Sequence, residues 1–275
     1  MFNTSLKTLI ILVCSLCTTP CFGDALKVFH GHKGNIKIAG GTAHIPVMKE
    51  AARRIMTQYK DIVITIAGGG SGVGIKQVGE GIVDIGNSGR KPKPEEIERY
   101  GLVLHKWAID GVAVIVNQNN KVRSLTNDQL KGIYAGQITN WKSIGGQDHS
   151  ITLYTRDESS GTRSVFWKKA LNKGMINLKA LFVPSNGAMK TAIANDPYGI
   201  GYVSVGHIDH TVTPVVLDGI KPTLENVKTG QYKIVRALYS NTKGAPSELT
   251  QLFIEYLLTP DGQKIVADNG FIPVK

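Results

Sequence analysis

Apolar and polar positions follow two rhythms along this chain. The blocks IKIAGG (36–41), DIVITIAGGG (61–70) and IVDIGNSG (82–89) are short, apolar and rich in β-branched residues, and they predict strands. Between the first two lies HIPVMKEAARRIMTQY (44–59), where Ile45, Met48, Ala52, Ile55, Met56 and Tyr59 recur at helical spacing. SGVGIKQVGEG after the second strand opens a short helix, and KPKPEEIERYG follows the third. LVLHKW and DGVAVIVNQ (110–118) predict two further strands. The rhythm then continues in a second unit. TNDQLKGIYAG (126–136) reads as a helix with an N-capping Thr or Asn and a closing Gly. ITLYTRD predicts a strand and SGTRSVFWKKAL a helix; NGAMKTAIANDP is a helix stopped by Pro197, and GIGYVSV a strand. KIVRALYS (233–240) is the last long strand, before helical segments broken at Pro260.

Strands alternating with helices predict an α/β fold of mixed, mostly parallel sheets flanked by helices. No internal repeat or low-complexity linker separates the two units. The chain is therefore expected to cross between them more than once. The expected division is 24–112 with 236–275 in one lobe and 113–235 in the other, with GVAVIVN and IVRALYS as hinge strands.

The start of the chain differs from the rest. MFNTSLK carries one cation, Lys7; TLIILVCSL is apolar but about half as long as a membrane span requires; CTTPCFG ends in small residues. This is the pattern of a secretory signal peptide over 1–23, cut near Gly23. Cys14, Cys17 and Cys21 all fall within it, and none follows the Leu-small-small pattern of a lipoprotein. The exported chain is thus expected in the periplasm, soluble and free of disulfides, with a packed core supplying its stability. Its charge is basic, +11 over the 275 residues and +10 without Lys7. The cations are scattered, and aromatic residues make up only 7% with no stacking series, so nucleic acid is not an expected partner. A solvated surface or a small anionic ligand accounts for the charge equally well.

Candidate chemistry lies where strands end. IAGGTAH, IAGGGSGVG and IGNSGR each place glycine with Ser or Thr at a strand–helix junction, and TRDESSGTRSVF does so again with Arg156. In open α/β sheets ligands bind at the carboxyl ends of strands. Glycine lets the backbone approach closely, and the first N–H groups of a helix attract an anion. Taken singly, Thr42 or Ser71 is an ordinary helix cap. Four such junctions describe a cleft that desolvates an anion. Arg156 either makes a surface ion pair with Asp157 or Glu158 or holds an oxyanion with two parallel hydrogen bonds. In the second case Glu158 is placed to steady it from behind.

These motifs, with GQITNW, GIGYVSV and TPDGQKIVADNGFIPV, occur in order over nearly the whole exported chain. They resemble the phosphate-binding protein of bacterial phosphate ABC importers. The resemblance implies a two-lobed type II periplasmic-binding-protein fold that closes on inorganic phosphate and hands it to membrane permease subunits and an ATPase, as a monomer with no cofactor and no metal. It carries ligand roles onto Thr42, the backbone at Ala43, Ser71, Ser88, Arg156, Ser160, Gly161 and Thr162, and less directly onto Arg90. One departure stands out. The family often has an Asp, which accepts the phosphate proton, where this chain has Gly89. Sulfate, molybdate or phosphonate are therefore alternative ligands. A phosphoesterase using Ser71 or Ser160 is the enzymatic alternative. No His lies in a G-x-S-x-G pattern, and His30-Gly-His32 lacks the company of other metal ligands. His44 is expected on the surface at a helix start.

Overall fold

The computed structural model describes residues 25–274. The expected leader, with its three cysteines, lies outside these residues. The first unit runs β1 (Gly34–Gly40), α1 (Ile45–Gln58), β2 (Ile62–Gly69), α2 (Ser71–Gly79), β3 (Ile85–Ser88), α3 (Pro94–Tyr100) and β4 (Leu102–Asn117). The chain continues through β5 (Ser124–Leu125), α4 (Asn127–Ala135), β6 (Thr152–Thr155), α5 (Gly161–Lys169), β7 (Leu181–Phe182), α6 (Asn186–Asn195) and β8 (Gly199–Ser204). It ends with β9 (Val212–Pro214), β10 (Val216–Leu217), α7 (Leu224–Lys228), β11 (Val235–Lys243), α8 (Glu248–Leu258), α9 (Pro260–Asp268) and β12 (Ile272–Pro273).

Local chemistry explains the boundaries. α1 buries Val47, Met48, Ala51, Ala52 and Ile55, a single face of the helix, with a proline in its first turn. α4 starts at a capping box in which the Thr126 hydroxyl accepts from Gln129 N, and it ends at Gly136, where φ is 77°. The break at Pro260 separates α8 from α9, and Thr259 caps the second helix.

The main sheet has the order β2-β1-β3-β11-β4-β8-β6-β7, with β9 and β12 also pairing to β4. β1 is parallel to β2 and β3, and β6 is parallel to β7 and β8. β4 and β11 run antiparallel to each other and join these two parallel groups. The fold is the mixed α/β arrangement expected.

One element differs from the sequence reading. LVLHKW and DGVAVIVN are a single strand of 16 residues, β4. Asp110-Gly111 has the composition of a turn, yet both residues are buried in the ladder. Asp110 Oδ2 accepts from Arg236 Nε of β11 at 2.8 Å, and Oδ1 accepts from Ser204 Oγ of β8 at 2.9 Å. A Cβ on Gly111 would come within 2.7 Å of Val227 and 2.9 Å of Val205, so this glycine admits close packing in a strand.

Two hydrophobic cores flank this point. The first gathers Phe29, Ile36, Val47, Trp107, Ala108, Leu238, Phe253 and Phe271. The second gathers Val112, Val114, Tyr134, Phe166, Tyr202 and Ile234. Along β4 the change from one core to the other falls between Ala108 and Val112; along β11 it falls between Ile234 and Leu238. Asp110 and Arg236 fill the seam. Among the described residues no helix is long and apolar enough to cross a membrane.

Removing one member of a buried pair leaves the other charge uncompensated. Asp110→Ala should therefore destabilise the fold by about 3–5 kcal/mol, measured by urea unfolding. Replacing the pair together, Asp110→Leu with Arg236→Met, should cost much less than the sum of the single changes.

Candidate functional site

The strand ends of both parallel groups meet in one place. After β1, Gly40 has φ of 120°, and a Cβ there would lie 2.7 Å from Gly74 Cα; the chain then makes a tight turn at Thr42–His44 before α1. After β2, Gly69 and Gly70 have φ of 121° and 91° and deliver Ser71 as the first residue of α2. β3 ends at Ser88, whose hydroxyl oxygen accepts from Asn241 Nδ2 of β11 at 2.9 Å. From the other side, β6 delivers Arg156, Ser160 caps α5, and Gly161 and Thr162 open that helix. Thr42, Ala43, Ser71, Ser88, Arg156, Ser160, Gly161 and Thr162 are all buried. Gly161 and Thr162 lie in the first turn of α5, where backbone N–H groups have no partner within the helix.

Hydrogen bonds join the two sides directly. Gly72 N donates to Ser159 O, and Ser159 Oγ donates to Gly69 O, both at 2.9 Å. Asn186 of α6 donates to Thr42 Oγ1 twice, from its backbone N at 3.3 Å and its Nδ2 at 3.0 Å. Arg236 Nη1 donates to Gly89 O at 3.3 Å and to Thr162 Oγ1 at 3.0 Å. A Cβ on Gly161 would press into the Ser71 hydroxyl, so α5 and α2 abut. Two further hydroxyls also take a backbone N–H: Ser71 Oγ accepts from Gly89 N at 2.9 Å, and Ser160 Oγ from Arg163 N at 3.2 Å.

Arg156 is the unusual member. It is 1% exposed. Its Nη2 donates to Pro184 O at 2.9 Å and its backbone N to Tyr202 Oη at 3.2 Å, while Nε is buried without a partner. Among the described residues no carboxylate lies within 4 Å of its guanidinium. Burial accordingly weakens its hold on its proton. The expectation that Glu158 steadies Arg156 is not met. The Glu158 side chain is 91% exposed, and its ion-pair neighbour is Arg163 at 4.0 Å, because the turn Asp157–Ser160 aims Glu158 at solvent. Arg90 does not face the other site residues either. Glu96, in the first turn of α3, takes both its Nη atoms at 2.7 Å. His44 is fully buried rather than at the surface, edge-on to Trp107 with ring centroids 5.4 Å apart.

Residues 30–261 match the PBP superfamily domain. The chain is 40% identical over 254 residues to the phosphate-binding protein PstS of Bacillus subtilis, covering 91% of this chain and 84% of that protein. The chain belongs to the PBP superfamily, among the PstS phosphate-binding proteins. Of solved structures, a phosphate ABC transporter substrate-binding protein with bound phosphate from Clostridium perfringens matches with a TM-score of 0.83 and 36% identity, over 88% of this chain and all of that one. An ABC-type phosphate transport receptor from Vibrio cholerae matches with a TM-score of 0.70 and 32% identity, over 86% and 99%. The fold class is that of type II periplasmic binding proteins. These relatives are binding proteins rather than enzymes.

In this member of the PstS family, Asp110, Arg236, Asn186 and Tyr202 hold the site residues and were not singled out from sequence. A signal was present: Asp110 is the one charge in DGVAVIVN, and Arg236 lies in the apolar interior of KIVRALYS. Nothing in the sequence pairs Asn186 with Thr42, which is 144 positions away.

Burial holds two histidines neutral beside these residues. His44 drops to about 3 and His207 to about 4, with the Arg236 charge acting in the same direction on both. The unfolded chain takes up these protons below its ordinary value of 6.5, and the folded chain does not. Stability should therefore hold above about pH 6.5 and fall as pH drops from there toward 5, by up to about 1.4 kcal/mol per pH unit for each site. Urea midpoints across this range check it, and His44→Phe should remove about half of the slope.

Proposed function

We propose that this protein captures inorganic phosphate between its two lobes and delivers it to an ABC importer. The single observation that supports this most is Arg156, a buried guanidinium with no carboxylate within reach among the described residues. A buried charge is costly unless paired, so the arrangement calls for an anion from outside the chain. Around it stand Thr42, the Ala43 backbone, Ser71, Ser88, Ser160, Gly161 and Thr162. These are neutral groups that can donate hydrogen bonds without adding charge. The names of the relatives supply phosphate as the ligand and transport as the context.

On this reading 24–112 with 236–275 and 113–235 are the two lobes. The two hydrophobic cores and the crossing strands β4 and β11 support that division. Closure then strips water from the anion, whose oxygens receive charge-assisted bonds of about 1.5–3 kcal/mol each. The protein performs no covalent chemistry. It acts as an exported monomer in the periplasm after loss of residues 1–23, and permease subunits and an ATPase are its partners.

Arg156→Ala should weaken phosphate binding by at least about 2 kcal/mol, roughly 30-fold, in isothermal titration. Its melting temperature without phosphate should stay the same or rise, since an unpaired buried charge is removed. Loss of folding together with normal residual binding would make Arg156 a structural residue and sink the assignment.

A further inference from the structure

A second cavity, of about 430 Å³, lies outside the cluster of site residues. Gly161 packs against Gly89, and Arg90 and Arg163, one and two positions further on, both line this cavity. It therefore opens where the two halves abut. The turn after β3 and the start of α3 supply Arg90, Lys91, Lys93 and Glu96. α5 and the turn before it supply Glu158, Arg163, Ser164 and Lys168 from the other half. Its volume is in the range of pockets that hold small molecules.

Five cations and two carboxylates line the cavity. Glu96 is spent on Arg90, taking both its Nη atoms at 2.7 Å. Glu158 is 91% exposed and stands 4.0 Å from Arg163, whose Nε is buried without a partner. Lys93 reaches only Glu95, at 3.7 Å with both side chains exposed, a contact that contributes little. Lys91 and Lys168 are exposed, and neither has an ion-pair partner among the described residues. Like charges from the two halves thus share one pocket. Such a concentration of positive charge attracts an anion, and an anion here answers cations on both sides at once.

The wall is not all polar. Trp167 is half-buried, with Nε1 donating to Gly174 O at 2.8 Å, and Ile176 lies on the same lining. Orthophosphate alone would leave this apolar side and most of the volume unused. We propose that the cavity binds a phosphate monoester with an apolar or aromatic body and that this second ligand favours the closed form. Lys91, Lys93, Arg163 and Lys168 hold the phosphate group, Ser164 adds a hydroxyl, and the body lies against Trp167 and Ile176. The site shares no residue with the phosphate cleft. Its coupling to closure rests on the reading of the halves as lobes that close on phosphate. Closure brings the two sets of cations together, so an ester that neutralises both tightens phosphate, and phosphate tightens the ester by the same factor.

Trp167 provides an optical signal. Trp107 and Trp141 are each 1% exposed, so a ligand arriving from solvent quenches Trp167. The test titrates the purified protein, saturated with inorganic phosphate so that the cleft is filled, with phenyl phosphate, following heat and tryptophan fluorescence. One equivalent should bind and quench the emission. Methyl phosphate, with the same charge and no ring, should bind about fivefold more weakly. Lys93→Gln with Lys168→Gln should weaken phenyl phosphate binding at least about tenfold, while phosphate binding holds or tightens because like charges have left the boundary. Phenyl phosphate at saturation should tighten phosphate about fivefold or more.

No binding to the phosphate-saturated protein, or binding that the double variant leaves unchanged, would overturn the second site while leaving phosphate capture intact. Phosphate binding that weakens in step with the ester would assign the lysines to the cleft and overturn it equally. Methyl phosphate as tight as phenyl phosphate would overturn the assignment of an apolar body, and ester binding that leaves phosphate affinity unmoved would overturn the coupling. Protein that takes up no phosphate at all would remove the reading on which the coupling rests, and the coupling with it.

Discussion

The Asp110–Arg236 ion pair governs how this molecule is put together. It sits where the two crossing strands pass from one hydrophobic core to the other, between Ala108 and Val112 of β4 and between Ile234 and Leu238 of β11. Burial pushes the Asp110 carboxyl up, and Arg236 and Ser204 offset only part of that rise. A pair in such a place is weak evidence of stability. Its importance is positional: one guanidinium is anchored to β4 and reaches both the turn after β3, at Gly89 O, and the first turn of α5, at Thr162. The seam of the fold and the back of the site are therefore built from the same side chain.

Around this anchor the two sides meet through small residues. Gly70 and Gly72 lie against Ser159, and Gly161 lies against Ser71 and Gly89. Backbone amides and hydroxyls can only converge at such distances if side-chain volume is absent. That requirement explains why glycine recurs at every strand end in the site, and why the surrounding charge is confined to Arg156 and the neutralised Arg236. A neutral, donor-rich shell around one uncompensated cation suits a single buried anion.

Much of this was legible in the sequence. The glycine–hydroxyl junctions marked Thr42, Ser71, Ser88 and Ser160–Thr162, because close approach and helix starts have strong local signatures. Arg156 was legible because it ends an apolar strand. What failed were inferences that depend on long-range partners. Glu158 is adjacent to the site in sequence, but its turn aims it outward. Arg90 is held by Glu96 six residues on, a contact that follows from the start of α3. LVLHKW and DGVAVIVN were read as two strands with Asp110 opening the second, because a buried carboxylate looks like a strand end until its partner, 126 positions later, is known. His44 was placed at the surface because a ring at a helix start is usually solvated; here Trp107 covers it.

The continuity of β4 has a mechanical consequence. Sixteen residues of strand extend about 50 Å, and β11 is laddered to it from Leu102 to Gly111. No flexible loop interrupts this pair between the two cores. Any swing of one half against the other must then be a flexure of an elastic ribbon, its bend and twist shared over many peptide units. Such a spring resists large angles and favours a single register between the halves.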